Sequence, residues 1–178
     1  MIRYNYGDGP CFFTDASQNG YGCFLESDWH AGYFNVAGHL DGVELLCSEH
    51  GHWKNIKVDG KPNINLLELV PVWLSLLRWI SKWEGLHVVC YTDNMQVRSM
   101  LNKGVSSNSI CMVLLRSIFW LCAIFNVHLT ARHLFSEENR CADFLSRLSY
   151  SNDLCKLSMF SLCCRQKLAP GCVRSGIG

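Results

Sequence analysis

The first third of the chain alternates short apolar runs with polar breaks, and the period then lengthens. CFFTDAS (11–17) passes from apolar to polar, and YGCFLES (21–27) follows a segment ending in Asn19-Gly20. An Asn-Gly turn between two such runs is a strong hairpin signal, so two antiparallel strands are predicted. From Asp28 to Lys61 the chain is rich in Gly, His and Trp, with short runs such as GYFNVAG and WKNIKVD. These predict a third strand and irregular connections. From Asn63 to Trp83 the apolar positions fall at helical spacing, through Leu66, Val70, Trp73, Leu77 and Ile80. Pro71 lies inside this pattern and removes one backbone donor, which predicts a kink in the first turns.

LHVVCYTD (86–93) is a near-continuous apolar run ending in a polar pair, the pattern of a strand buried on both faces. Met95 to Lys103 reads as a short helix closed by Gly104. SSNS (106–109) precedes a long helix from Ile110 to Phe125, and NVHLTARH (126–133) alternates as a further strand. Ser136 is placed to cap a last helix, with Glu137 and Glu138 at the positive end of its dipole and Arg147 near its end. The order β-hairpin, strand, α, β, α, α, β, α predicts a layered α/β fold with helices flanking a mixed sheet. Beyond Leu148 the periodicity is lost, and a poorly ordered tail over 149–178 is expected after one domain spanning 10–148.

Composition narrows the picture in three places. Only 17% of the 178 residues are charged, against the usual ~25%, so acidic residues inside apolar runs stand out. A formal net charge of +1 argues against a large basic surface while leaving a small groove open. The eleven cysteines are irregularly spaced with no CxxC pair, and the polar start MIRYNYGDGP does not resemble a signal peptide. They read as reduced, mostly buried residues of an intracellular protein, in cytoplasm or nucleus, rather than zinc ligands or disulfides. The apolar stretch Ile110–Val127 contains Arg116 near its middle, so a buried helix is preferred to a membrane span.

Four acids sit within or beside apolar segments: Asp15 in FFTDAS, Glu68 in INLLELV, Asp93 in VVCYTDN and Asp143 in NRCADFLSR. Burying a carboxylate is costly unless a cation or hydrogen bonds compensate it. Taken singly, Asp15 and Asp93 read equally well as turn or helix caps, and Asp143 as a solvated residue; Glu68 on a buried helix stripe is harder to explain. Together they suggest an oxygen-only site for hard cations, Mg²⁺ or Mn²⁺. Four carboxylates suit a pair of ions that hold both oxygens of an in-line phosphoryl displacement.

These motifs, in this order, resemble type 1 ribonuclease H, in the form found beside reverse transcriptases of LTR and tyrosine-recombinase retroelements. TDAS with GYG is similar to the family's first-strand motif, NLLEL to the helix supplying its Glu, and YTDNMQVRSML to its third segment. HLFSEENRCADFLSR is similar to the closing segment, and the ADFLSR ending is especially like the retroelement branch. The resemblance covers residues 10–148 and implies a mixed five-stranded sheet with Asp15, Glu68, Asp93 and Asp143 as ligands of two Mg²⁺ ions. It also implies that His133 assists proton transfer or product release, although Leu134, Phe135 and Ser136 stand where relatives carry Pro-Gly. Ser17, Asn65 and Asn94 are the implied substrate contacts, read otherwise as a helix cap (Asn65) and turn polar groups (Ser17, Asn94). Trp79 and Trp83 pack the core in this reading rather than forming a basic handle for the hybrid.

The implied activity is cleavage of the RNA strand of an RNA–DNA hybrid, with discrimination through 2′-hydroxyl contacts. The implied partner is a reverse transcriptase domain in cis or trans, the chain being a fragment or relic of a retroelement polyprotein; no membrane partner is expected. Two competing readings stay open. One is a catalytically silent module of the same fold that binds nucleic acid or protein; the other is a transposase or integrase, whose triad normally ends in Glu where this chain has Asp143.

Overall fold

The structure, a computed structural model, describes residues 9–17, 20–25, 28–33, 57–58 and 61–147. Three strands, β1 (Cys11–Ala16), β2 (Gly20–Leu25) and β3 (Asp28–Tyr33), open the fold as an antiparallel meander. A two-stranded ribbon, β4 (Lys57–Val58) with β5 (Lys61–Pro62), leads into helix α1 (Ile64–Trp79) and a 3-10 turn (Ile80–Lys82). Strand β6 (His87–Thr92), helices α2 (Met95–Lys103) and α3 (Ser109–Ile124), strand β7 (His128–His133) and helix α4 (Arg140–Ser146) complete it. The expected third strand is β3; the WKNIKVD run lies mostly outside the described residues, as do Asn19 and the tail over 149–178.

The five-stranded sheet has the order β3-β2-β1-β6-β7. β6 pairs in parallel with both β1 and β7, so the sheet is mixed as predicted. The parallel strand β6 lies between two others and its residues Val88 to Thr92 are all buried, which is why it reads as a continuous apolar run.

One face of the sheet carries the main core. Phe12 stacks on Trp83 at 5.3 Å and meets Trp79 edge-on at 6.4 Å, and α1 and α3 contribute Leu66, Leu69, Leu76, Leu115 and Ile118 to the same cluster. Trp79 and Trp83 are therefore core residues, as the sequence predicts. The indole N–H of Trp79 donates to Asp28 Oδ2 at 2.7 Å, which carries the β3 edge onto α1. Helix α1 runs unbroken from Ile64 to Trp79 through Pro71, and the last residues of the predicted helix form the 3-10 turn. With that turn it is long and apolar enough to cross a membrane, but 67% of it is buried within the fold. Most of its apolar surface is thus covered by protein, with Ile64 and Leu77 left exposed.

Cap chemistry decides where the helices begin. Asn63, Asn94 and Asn108 each accept hydrogen bonds from two backbone N–H groups at the starts of α1, α2 and α3. Gly104 ends α2 in the left-handed region (φ +68°), where a side chain would be strained. The last helix differs from expectation. It begins at Arg140 rather than at Ser136, and residues 136–138 form a turn. The Ser136 hydroxyl does not cap it; it donates to Asp93 Oδ2 at 2.7 Å.

Candidate metal centre

The strand register aligns the first two acids. Phe13 of β1 faces Tyr91 of β6 in a parallel pair, so Asp15 and Asp93, each two residues further on, reach the same end of the sheet. That end is the carboxyl end of both strands, where open α/β sheets place their sites. Glu68 arrives from α1, and a backbone hydrogen bond with Ala16 ties it to the end of β1. Ligand oxygens of Asp15, Glu68 and Asp93 all lie within 4.8 Å of one another.

Burial makes this cluster costly. Asp15 is 4% and Glu68 5% exposed. Desolvation pushes the Asp15 carboxyl up to about 6; the Ser146 hydrogen bond opposes this, and the charges of Asp93 and Asp143 add to the rise. Desolvation, then repulsion by Asp15 and Asp93, pushes Glu68 up to about 9, and the Ala16 hydrogen bond offsets only part. At neutral pH Glu68 therefore keeps its proton until a cation replaces it. Its Oε2 is buried with no hydrogen-bond partner among the described residues. An all-carboxylate set with an orphaned oxygen fits a hard divalent cation, whose charge removes both the repulsion and the desolvation cost.

Asp143 stands beside this group rather than in it. It projects from the first turn of α4, near enough to raise Asp15 by repulsion, while its Oδ1 accepts from Arg147 Nε at 2.6 Å. His133 ends β7 opposite Thr92 in the register, at the Asp93 end of the sheet. Its ring meets Phe135 edge-on at 5.5 Å.

Of the expected substrate contacts, two come together: Asn94 Nδ2 donates to Asn65 Oδ1 at 3.2 Å. Asn65 is not the cap of α1, because Asn63 holds that position; Asn94 does cap α2. Ser17 closes the hairpin, its Oγ accepting from the Gly20 N–H at 3.0 Å, and it also donates to the Ser146 carbonyl at 2.8 Å.

No protein-family model matches the chain, and no curated protein matches it. Among solved structures it is similar to RNase H1 from the halophilic archaeon Halobacterium salinarum NRC-1, with a TM-score of 0.51 and 14% identity over 76% of this chain and 91% of that one. It is also similar to LC11-RNase H1 in complex with an RNA/DNA hybrid, with a TM-score of 0.52 and 16% identity over 77% and 93% of the two chains. The chain has the ribonuclease H fold. The mixed five-stranded sheet with its four described helices matches that fold.

On this ribonuclease H fold the structure adds four residues whose part in holding the site the sequence pattern does not reveal. Ser136 and Ser146 each bond an aspartate of the cluster, Arg147 pairs Asp143, and Asn139, 1% exposed, donates to the Thr14 carbonyl at 3.0 Å. No local signal marks that part. A serine at a helix end and an Arg four residues after an Asp are ordinary helix-surface patterns, and the partners of Ser136, Asn139 and Ser146 lie 43, 125 and 131 residues away.

Proposed function

We propose that this chain is a metal-dependent endonuclease that hydrolyses the RNA strand of RNA–DNA hybrids, using two Mg²⁺ ions, with Mn²⁺ as a substitute. The observation that carries this reading is the convergence of Asp15, Glu68 and Asp93 within 4.8 Å at the carboxyl end of a ribonuclease H sheet. When bound, the ions supply an activated water and stabilise the leaving oxygen. Asp15, Glu68 and Asp93 would hold them, and Asp143 would join them on leaving Arg147. Ser136 fixes Asp93, while His133, braced by Phe135, assists proton transfer or product release. Asn65 and Asn94, already sharing a hydrogen bond, present amide groups suited to 2′-hydroxyl recognition. LC11-RNase H1, a structural neighbour, is solved with an RNA/DNA hybrid, which supports the choice of substrate.

The ADFLSR ending supports a retroelement origin, with the chain acting inside the cell beside a reverse transcriptase domain that adds hybrid affinity. The competing reading is a catalytically silent module of the same fold, and the Asp143–Arg147 ion pair is the feature that favours it. Cleavage of a labelled RNA–DNA hybrid with Mg²⁺ separates the two. The native chain should cut the RNA strand and Asp93→Asn should not. Equal background cleavage by both overturns the enzyme reading, and retained hybrid binding in that case establishes the silent module.

A further inference from the structure

The segment that closes the chain's described part delivers two hydroxyls to the acidic cluster. Ser146, 2% exposed on the last turn of α4, donates to Asp15 Oδ2 at 2.5 Å and lies 2.9 Å from the Asp143 carbonyl. One hydroxyl carries one proton, and an ionised carboxylate is the stronger acceptor. Ser136, in the exposed turn before α4, donates to Asp93 Oδ2 at 2.7 Å.

Packing fixes where the Ser146 hydroxyl sits. A Cβ on Gly22 would collide with Leu145 Cβ and lie 2.5 Å from the Ala142 carbonyl oxygen and 2.8 Å from the Ser146 nitrogen. Helix α4 therefore rests on bare β2 backbone, directly beside Asp15, whose register partner is Gly22. Ser17 Oγ donates to the Ser146 carbonyl, and Asn139 Nδ2 to the Thr14 carbonyl one residue before Asp15. Ser146 is thus held directly, and Ser136 through Asn139, whose N–H bonds the Ser136 carbonyl at 3.2 Å.

We propose that Ser146 and Ser136 are positioning residues for the cation site: each occupies Oδ2 of one aspartate and so turns the other carboxylate oxygen toward the cation. The inference rests on the metal-dependent reading above. The terminal torsion of an aspartate is broad and nearly two-fold, so an unheld carboxylate must be ordered when a cation binds. A hydroxyl that has already chosen the orientation removes that cost, and groups that orient metal ligands in this way typically account for 10–100-fold in affinity.

The test titrates the full chain with MgCl₂ by isothermal calorimetry, which reads the midpoint of Mg²⁺ binding without requiring catalysis, alongside thermal unfolding of the same variants without Mg²⁺. Ser146→Ala and Ser136→Ala should each raise that midpoint by about tenfold or more, and Ser136→Thr, which keeps the hydroxyl, should restore the wild-type value. A purely structural role would lower Tm without Mg²⁺ and leave the midpoint unchanged. Should Ser146→Ala fail to fold, the exposed Ser136 position decides the matter. If the wild type responds to Mg²⁺ and the alanine variants respond at the same midpoint, this inference is overturned alone. If the wild type shows no Mg²⁺ response, the metal reading falls and takes this inference with it.

Discussion

Replacing Glu68 by Gln isolates the cost of holding a carboxylate in this site before any cation arrives. In the folded chain Glu68 is 5% exposed and its Oε2 has no partner among the described residues, and burial with the Asp15 and Asp93 charges pushes its pKa from 4.5 to about 9. In the unfolded chain the same group ionises near 4.5. An acid whose folded pKa is raised favours folding fully only below its unfolded value. As pH climbs from about 4.5 to about 9, the unfolded state gains free energy from ionising and the fold loses stability. At pH 7 the gap is about 2.5 pH units, which at 1.36 kcal/mol each is roughly 3 kcal/mol. Water entry and relaxation around a buried charge reduce this, leaving about 1–3 kcal/mol. Glutamine keeps the shape, does not titrate, and offers N–H donors to Asp15 and Asp93. In EDTA, Glu68→Gln should therefore melt higher than wild type by roughly 2–12 °C for a chain of this size, and the gap should widen as pH rises. With Mg²⁺ the order should reverse, because the wild type exchanges its proton for a cation and the variant cannot. A variant less stable than wild type without metal, or a gap that ignores pH, refutes the electrostatic account of this site.

Other consequences follow from particular contacts. Gly22→Ala should push α4 off β2, costing about 1–3 kcal/mol as overpacking does, and thermal scans with and without Mg²⁺ should show the metal response weakened along with the fold. Burial works to raise the Asp28 carboxyl, but hydrogen bonds from Arg78 and Trp79 win and hold it below the usual carboxylate range. Its contribution is therefore present at neutral pH and lost as pH falls through that range. Asp28→Ala should cost about 1–3 kcal/mol in urea unfolding because the buried Trp79 N–H loses its acceptor, while Arg78→Ala, on an exposed pair, should cost under about 1 kcal/mol. Asn102 bonds both the N–H and the carbonyl of Ala131 at 2.8 Å. Asn102→Ala should abolish hydrogen-exchange protection at the Ala131 amide first, loosening the strand that carries His133.

The element order was legible because each element carries its own signal. The apolar run of β6, the helical stripe of α1 and the alternation of β7 each survive as local patterns, and Gly104 ends α2 as its chemistry demands. Three of the four candidate ligands are likewise brought together. Asp15 and Asp93 sit two residues past paired positions on neighbouring parallel strands, so strand pairing aligns them, and Glu68 stands out because a buried helix stripe has no ordinary use for a carboxylate. The misreadings came from equally local signals. Ser136 followed by two glutamates has the form of a helix start, and Asn65 lies one turn from Glu68 in a plausible cap position.

What the sequence alone determined is therefore which acids are anomalous, on which elements they ride, and the order of those elements. Backbone propensity, side-chain period and burial cost act over a few residues, and a single chain records them directly. Only the tertiary structure decided how the site is held. Asp143 pairs with Arg147 beside the cluster, Ser146 and Ser136 take the aspartate oxygens, and Gly22 lets α4 approach closely enough for the first of those bonds. A hydroxyl bonds whichever acceptor packing brings within about 3 Å, and the acceptor for Ser146 lies 131 residues away, beyond the reach of any local pattern.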